Sequence, residues 1–269
     1  MKAGIIGCGF IGTEIAKFID NGKNFDLVGL NDVDKNKAEG LIKKLKKNSP
    51  KFLEINELIM KSDLIIESAA RNVVGEILKN RNLDKKNKKL LIMSTGGLIN
   101  NLELLDKIKY CEILLPSGAI AGLDAIKSVS GKIKSLNLTT TKPIIGLQGA
   151  PYIISNKINL SKLKNKKIIF EGSLKEAIAG FPQNINVAAT LFLASKFENI
   201  KVRIIADPNT KFNTHEIQVQ GDFGIIKTTA QNLPSKNPKT SYLALLSAIQ
   251  AVKNLKNNVA VSRDRIFLA

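Results

Sequence analysis

Lys2-Ala-Gly-Ile-Ile-Gly-Cys-Gly-Phe-Ile-Gly12 opens the chain with a short apolar run that breaks into three glycines spaced G-x-G-x-x-G. A continuous apolar run of this length reads as a strand buried on both faces, and Ile11–Ile19 after it reads as a helix. In that context each glycine has a task. Gly7 permits a tight turn, Gly9 lets a pyrophosphate approach the backbone, and Gly12 allows close helix–strand packing. Free N–H groups around Phe10 and Ile11 then face the phosphates with the favourable end of the helix dipole. Asp32 lies 20 residues past Gly12, at the end of the second apolar run, where a carboxylate accepts hydrogen bonds from an adenosine ribose. Asn31 is the neighbouring candidate. The expected cofactor is NAD or NADP.

Working outward, short apolar runs at Ala3–Ile6, Leu27–Leu30, Leu64–Ile66, Leu90–Met93 and Ile113–Leu115 alternate with helical patterns at Ile11–Ile19, Lys35–Lys46, Val73–Leu78 and Leu102–Ile108. That alternation predicts an α/β fold with an N-terminal Rossmann-type, doubly wound parallel sheet. Loops at the carboxyl ends of its strands line the ligand crevice. They are small: Ser68-Ala69-Ala70, Ser94-Thr95-Gly96-Gly97 and Ser117-Gly118-Ala119-Ile120-Ala121-Gly122. Ala69 and Ala70 are therefore expected beside the cofactor. After Ser117 the texture changes to longer, Thr-rich strands at 136–141, 167–171, 202–206, 215–220 and 223–230, the last two joined as a hairpin at Gly221-Asp222. Helices are expected at Leu174–Ala179 and Val187–Lys196, with Asn184-Ile-Asn186 as a capping lead-in, and at Ser241–Leu255. The division predicted is 1–120 for the dinucleotide domain, joined by a C-terminal helix within 240–269, and 121–239 for a mixed α/β substrate and dimerisation domain.

The composition is that of a globular protein, 44% hydrophobic over 269 residues. No run approaches the roughly 20 apolar residues needed to cross a bilayer, so no membrane partner is expected. Two cysteines, Cys8 and Cys111, make no disulfide framework and have no metal-ligand neighbours at zinc spacing; a reducing cytoplasm is the expected compartment and no metal is expected. The net charge of +18 is nearly all lysine, punctuating helix faces and loops. Without tryptophan, and with few aromatics, it reads as a solvated coat and not as a nucleic-acid surface.

Histidine suits proton transfer near neutrality because its unperturbed pKa is about 6.5, and this chain has one, His215. On a strand it shares a face with Ile217 and Val219, the covered face. From position alone, a structural, hydrogen-bonded histidine at a core edge is favoured over a catalytic one.

Taken in order, Gly7–Gly12, Leu115-Pro-Ser-Gly-Ala-Ile-Ala-Gly-Leu-Asp-Ala125, Thr141-Lys-Pro143, Gly180-Phe-Pro-Gln-Asn-Ile-Asn-Val-Ala-Ala189, Ala206-Asp-Pro208 and Asn213-Thr-His215 resemble the L-aspartate dehydrogenase family. The resemblance implies a homodimeric oxidoreductase that passes a hydride from the α-carbon of L-aspartate to NAD(P). The product is iminoaspartate, which yields oxaloacetate and ammonia or enters quinolinate and pyridine nucleotide biosynthesis. It implies further that Ala119 and Asn186 contact the cofactor and that His215 is the active-site residue. Aspartate is expected between the nicotinamide and His215, with Lys142 a candidate for its carboxylates; His215 orients a carboxylate, accepts a proton, or does both. Two positions depart from the family pattern: Val33 follows Asp32 where relatives often carry arginine, with Lys35 or Lys37 as candidate substitutes, and Ala121 stands where glycine is usual. The alternatives are a related homoserine dehydrogenase or dihydrodipicolinate reductase-like enzyme, and a non-catalytic NAD(H)-binding regulator.

Overall fold

The computed structural model of the protein describes residues 1–182, 185–236 and 240–257. They fall into two compact units, Met1–Pro116 with the residues from Leu245 on, and Ser117–Ala244.

Six parallel strands build the first unit: β1 (Lys2–Ile6), β2 (Asp26–Asn31), β3 (Lys51–Phe52), β4 (Leu64–Glu67), β5 (Lys89–Ile92) and β6 (Glu112–Leu114), in the order β3-β2-β1-β4-β5-β6. This is the Rossmann-type doubly wound order, and the direction of winding reverses between β1 and β4, where such sheets bind ligands. Both central strands are buried almost throughout, from Ala3 to Ile6 and from Leu64 to Glu67, because helices cover both faces. The helix Phe10–Asn21 buries Gly12, Ile15, Ala16 and Ile19. The C-terminal helix, Tyr242–Asn257, adds Leu245, Ala248, Val252 and Leu255 to the same core. The rest of the expected 240–269 helix, from 258 on, lies outside the described residues. The helix expected over 35–46 stops at Ile42. Asp20 is the reason: its carboxylate takes the N–H groups of Lys46 at 2.8 Å, Lys47 at 3.0 Å and Asn48 at 2.7 Å, donors that a continuing helix would turn to its own carbonyls. The two-residue strand β3 and the helix Ile55–Lys61 escape the sequence reading because a short edge strand carries no periodicity.

The second unit is a mixed sheet of β7 (Ile133–Lys142), β8 (Lys167–Ser173), β9 (Ile200–Ala206), β10 (Asn213–Gly221) and β11 (Gly224–Asn232), ordered β11-β10-β7-β9-β8. Only β7 and β9 run parallel; the other neighbours are antiparallel. Its inner face packs on the helices Leu174–Gly180 and Asn186–Ser195 through one core containing Leu138, Ile204, Ile217, Val219 and Phe181. A capping box starts the first of these helices: Ser173 and Glu176 bond each other's backbone N–H groups, satisfying two end donors. The hairpin turn falls one residue later than expected. Gly221 pairs with Gly224, which leaves Asp222-Phe223 as the two-residue loop. Gly221 belongs to the strand, and a side chain there would collide with the Lys132 carbonyl. No described helix in either unit is long and apolar enough to cross a membrane.

Candidate active site

The first unit meets the requirements for holding a dinucleotide, glycine by glycine. Gly7 adopts φ +98°, a left-handed conformation that disfavours side chains, and its N–H donates to the Asn31 carbonyl at 2.7 Å. A Cβ at Gly12 would overlap the Gly7 carbonyl oxygen, so only glycine lets this helix seat against the turn. Above Gly9 there is open space, with nothing within 4 Å of the point a methyl group would occupy. The helix Phe10–Asn21 begins there with no side-chain cap, so its first N–H groups suit an anion. Phe10 and Ile11 are half-buried beside it.

Asp32 is held in place at both carboxylate oxygens. Cys8 N–H donates to Oδ2 at 2.7 Å and Asp34 N–H to Oδ1 at 2.9 Å, which ties the end of β2 to the glycine loop. A carboxylate oxygen accepts more than one hydrogen bond, so this anchoring leaves capacity for a ribose hydroxyl. Burial, then the Asp32 charge, push the Cys8 thiol up to about 12; it stays protonated and unreactive. Asn31 turns its amide to the Leu53 carbonyl at 2.7 Å. The two lysines considered as phosphate partners are engaged elsewhere. Lys35 Nζ lies 3.6 Å from Glu39 and 5.2 Å over the Phe52 ring, and Lys37 Nζ lies 3.8 Å from Asp34.

Glu67, at the end of β4, ties together two loops of the candidate site, with no motif in the sequence to mark it. Wholly buried, it accepts from Ala69 N–H and Ser94 N–H, each at 2.9 Å, and so joins the loops after β4 and β5. Burial raises its pKa against the pull of those hydrogen bonds. Ser68 adds a bond to the Gly7 carbonyl at 2.8 Å. Ala69 and Ala70 lie exposed on this loop, Ala70 just before the helix Arg71–Lys79.

The second unit gathers its polar side chains at one end of the inner sheet face. Along β7 the buried positions run Leu136, Leu138, Thr140, Lys142, and along β10 they run Val219, Ile217, His215, Asn213. The apolar part of each strand builds the core; the last two positions of each carry polar groups. His215 stands opposite Thr140 on one side and Ala230 on the other, and Thr140 Oγ1 lies 3.0 Å from His215 Nδ1. Burial, then the Lys142 charge, lower the imidazole pKa to about 3, and burial lowers that of Lys142 to about 8. Both groups are thus poised to gain proton affinity when an anion arrives. Thr140 and Asn213 are further members that the period-two pattern could have identified, since both alternate in step with His215 and Lys142.

Ala119 is buried in the Ser117–Gly122 loop, and its carbonyl accepts from Asn232 Nδ2 at 2.9 Å. Asn186 is exposed and is the first residue of its helix. The cap is Ile185, with no side-chain bond, so the expected capping role does not fall to Asn186; Asn184 lies outside the described residues. Among the described residues no group of three or more His, Cys, Asp or Glu side chains is placed to hold a metal.

Two family models match successive parts of the chain. Residues 7–112 match the family model described as homoserine dehydrogenase, NAD binding domain, and residues 124–255 match aspartate dehydrogenase, C-terminal. L-aspartate dehydrogenase of Methanosarcina mazei is 45% identical over 97% of this chain and 99% of its own length. The enzyme of that name from Nitrosopumilus maritimus is 40% identical over 94% and 95%. In fold, the crystal structure of aspartate dehydrogenase from Thermotoga maritima superposes with a TM-score of 0.71 at 24% identity, covering 97% of this chain and 98% of that one. Identity of this level over nearly the whole length places the chain in the L-aspartate dehydrogenase family of NAD(P)-dependent oxidoreductases.

Proposed function

We propose that the protein oxidises L-aspartate at its α-carbon with NAD in preference to NADP, giving iminoaspartate. The observation that carries this reading is the buried pair of His215 and Lys142 at the polar end of one sheet face, in a chain whose relatives bear the name L-aspartate dehydrogenase. Bound dinucleotide supplies the hydride acceptor. Gly7, Gly9 and Gly12, with the N–H groups of Phe10 and Ile11, would hold its phosphates and Asp32 its ribose; Ala69, Ala70, Ala119 and Asn186 are the further residues proposed to contact it.

Aspartate brings two carboxylates and an ammonium. Lys142, as a cation, binds a carboxylate. His215 is neutral before substrate arrives, and the incoming negative charge raises its proton affinity, so it either takes the ammonium proton or orients a carboxylate. Once the amine is neutral, its lone pair would form the C=N bond as the α-carbon hydride passes to the acceptor, giving the protonated imine. Water then converts the imine to oxaloacetate and ammonia, unless a following enzyme consumes it first. The preference for NAD follows from Asp32: a 2′-phosphate would meet a carboxylate pinned by two backbone donors, with Lys35 and Lys37 already engaged. A homodimer in the cytoplasm is the expected working form.

The test follows reduced-cofactor absorbance with aspartate, homoserine and other small amino acids, each with NAD and with NADP. Turnover of aspartate above the others supports the reading. Turnover of homoserine alone replaces it with the homoserine dehydrogenase alternative.

A further inference from the structure

Two asparagines stand opposite each other across the β10–β11 register, Asn213 and Asn232, and their side chains differ in one respect. Asn232 directs its amide to the carbonyls of Ala119 at 2.9 Å and Ala230 at 3.3 Å, so it anchors the Ser117–Gly122 loop. Asn213 is fully buried, and neither its Oδ1 nor its Nδ2 has a hydrogen-bond partner. A buried carboxamide with both atoms unsatisfied is rare and destabilising. A small apolar residue at that position would avoid the penalty, so the fold gains nothing from the amide.

Its surroundings indicate what it is kept for. Thr214 pairs with Thr141, which puts Lys142 beside Asn213 on the next strand, and His215 follows two residues along on the same face. The cluster therefore combines a cation, a neutral imidazole and a carboxamide whose donor and acceptor are both open. An α-amino acid presents the complement on adjacent atoms: carboxylate oxygens that accept, and an amino nitrogen that donates.

We propose that Asn213 is a substrate-binding residue, its Nδ2 donating to a carboxylate oxygen of the bound amino acid and its Oδ1 accepting from the amino nitrogen. This rests on the reading of the substrate as a small amino dicarboxylate. The carboxamide does not titrate, so it recognises substrate at any pH at which Lys142 and His215 change charge.

The experiment compares the full-length wild type with Asn213→Ala and Asn213→Asp by aspartate kinetics, NADH fluorescence titration and thermal unfolding. Asn213→Ala is expected to raise KM for aspartate by about tenfold or more, leave the Kd for NADH unchanged, and leave Tm level or higher, because no native hydrogen bond is lost. Asn213→Asp sets a negative charge against the substrate carboxylate and is expected to lose more. An aspartate KM within twofold of wild type in either folded variant overturns the proposal, as does a Tm lowered in both with KM unchanged. Should the wild type turn over no aspartate, the functional reading fails by itself, and thermal shifts with succinate, homoserine and other small carboxylates decide Asn213. A ligand that stabilises wild type but not Asn213→Ala upholds it; no stabilisation by any of them overturns it too.

Discussion

Thr140 and His215 face each other across the β7–β10 pairing, with Thr140 Oγ1 3.0 Å from His215 Nδ1. A bond to one ring nitrogen fixes the plane of the imidazole and selects which nitrogen meets substrate. With Nδ1 engaged, Nε2 is the nitrogen that the proposed reading assigns to aspartate. Thr140→Val keeps the shape and removes the hydroxyl, so aspartate kcat is expected to fall by about tenfold while NADH affinity holds. His215→Ala is expected to cost about 10²–10⁴-fold. Normal aspartate turnover in His215→Ala, with NAD binding intact, would end the assignment.

The same imidazole makes the protein sensitive to acid. Its pKa lies near 3 when folded, against an ordinary value of 6.5. Between those two values the unfolded chain binds a proton that the folded chain does not, so stability falls as pH falls through this window. From pH 7 to pH 5 the loss from this residue is about 2 kcal/mol. Urea unfolding at the two pH values, in wild type and in His215→Asn, isolates it: the variant should show a shallower loss. Glu67 acts in the opposite sense, since its raised pKa favours the folded state as acid is added. An unchanged pH dependence in His215→Asn would mean that the ring titrates as it does in water.

Much of this arrangement is legible in the sequence, and the parts that are not share a cause. The glycine spacing, the apolar strands from Ala3 to Ile6 and Leu64 to Ile66, and the covered face of His215 follow from local pattern, because period and turn chemistry are local properties. Glu67 escapes notice because its partners, Ala69 and Ser94, sit on two different loops; nothing near position 67 announces that a carboxylate will bridge them. Asn213 shows in the sequence as part of a motif and by alternating in step with His215. Its significance lies in an absence of partners, which a sequence does not display. The short end of the helix at Ile42 likewise depends on Asp20, more than twenty residues earlier in the chain.

On the proposed reading, Asp32 sets the cofactor preference. Its carboxylate is fixed by Cys8 N–H and Asp34 N–H, and a 2′-phosphate placed beside it meets like charge. Wild type is expected to bind NADH at least about tenfold more tightly than NADPH, and Asp32→Ser to narrow that ratio by a similar factor. Fluorescence titration with both reduced cofactors measures this without reference to turnover. Equal affinity for the two in wild type would refute the preference.

Gly9 and Gly12 offer a test that separates ligand binding from folding, since Gly12 is demanded by the protein's own packing and Gly9, on the proposed reading, by the cofactor. At Gly12 a methyl group would overlap the Gly7 carbonyl oxygen, a clash with backbone that cannot swing aside. Gly12→Ala should therefore destabilise the protein by about 1–3 kcal/mol or more, with or without cofactor. At Gly9 the backbone is φ −69°, ψ −164°, a conformation open to any residue, and the space above it is empty of protein. Gly9→Ala should leave urea stability within about 0.5 kcal/mol of wild type, while NADH binding weakens by about tenfold or more because the methyl occupies the path of the pyrophosphate. Wild-type NADH affinity in Gly9→Ala would show that the phosphates do not cross this glycine, and the dinucleotide would need another seat.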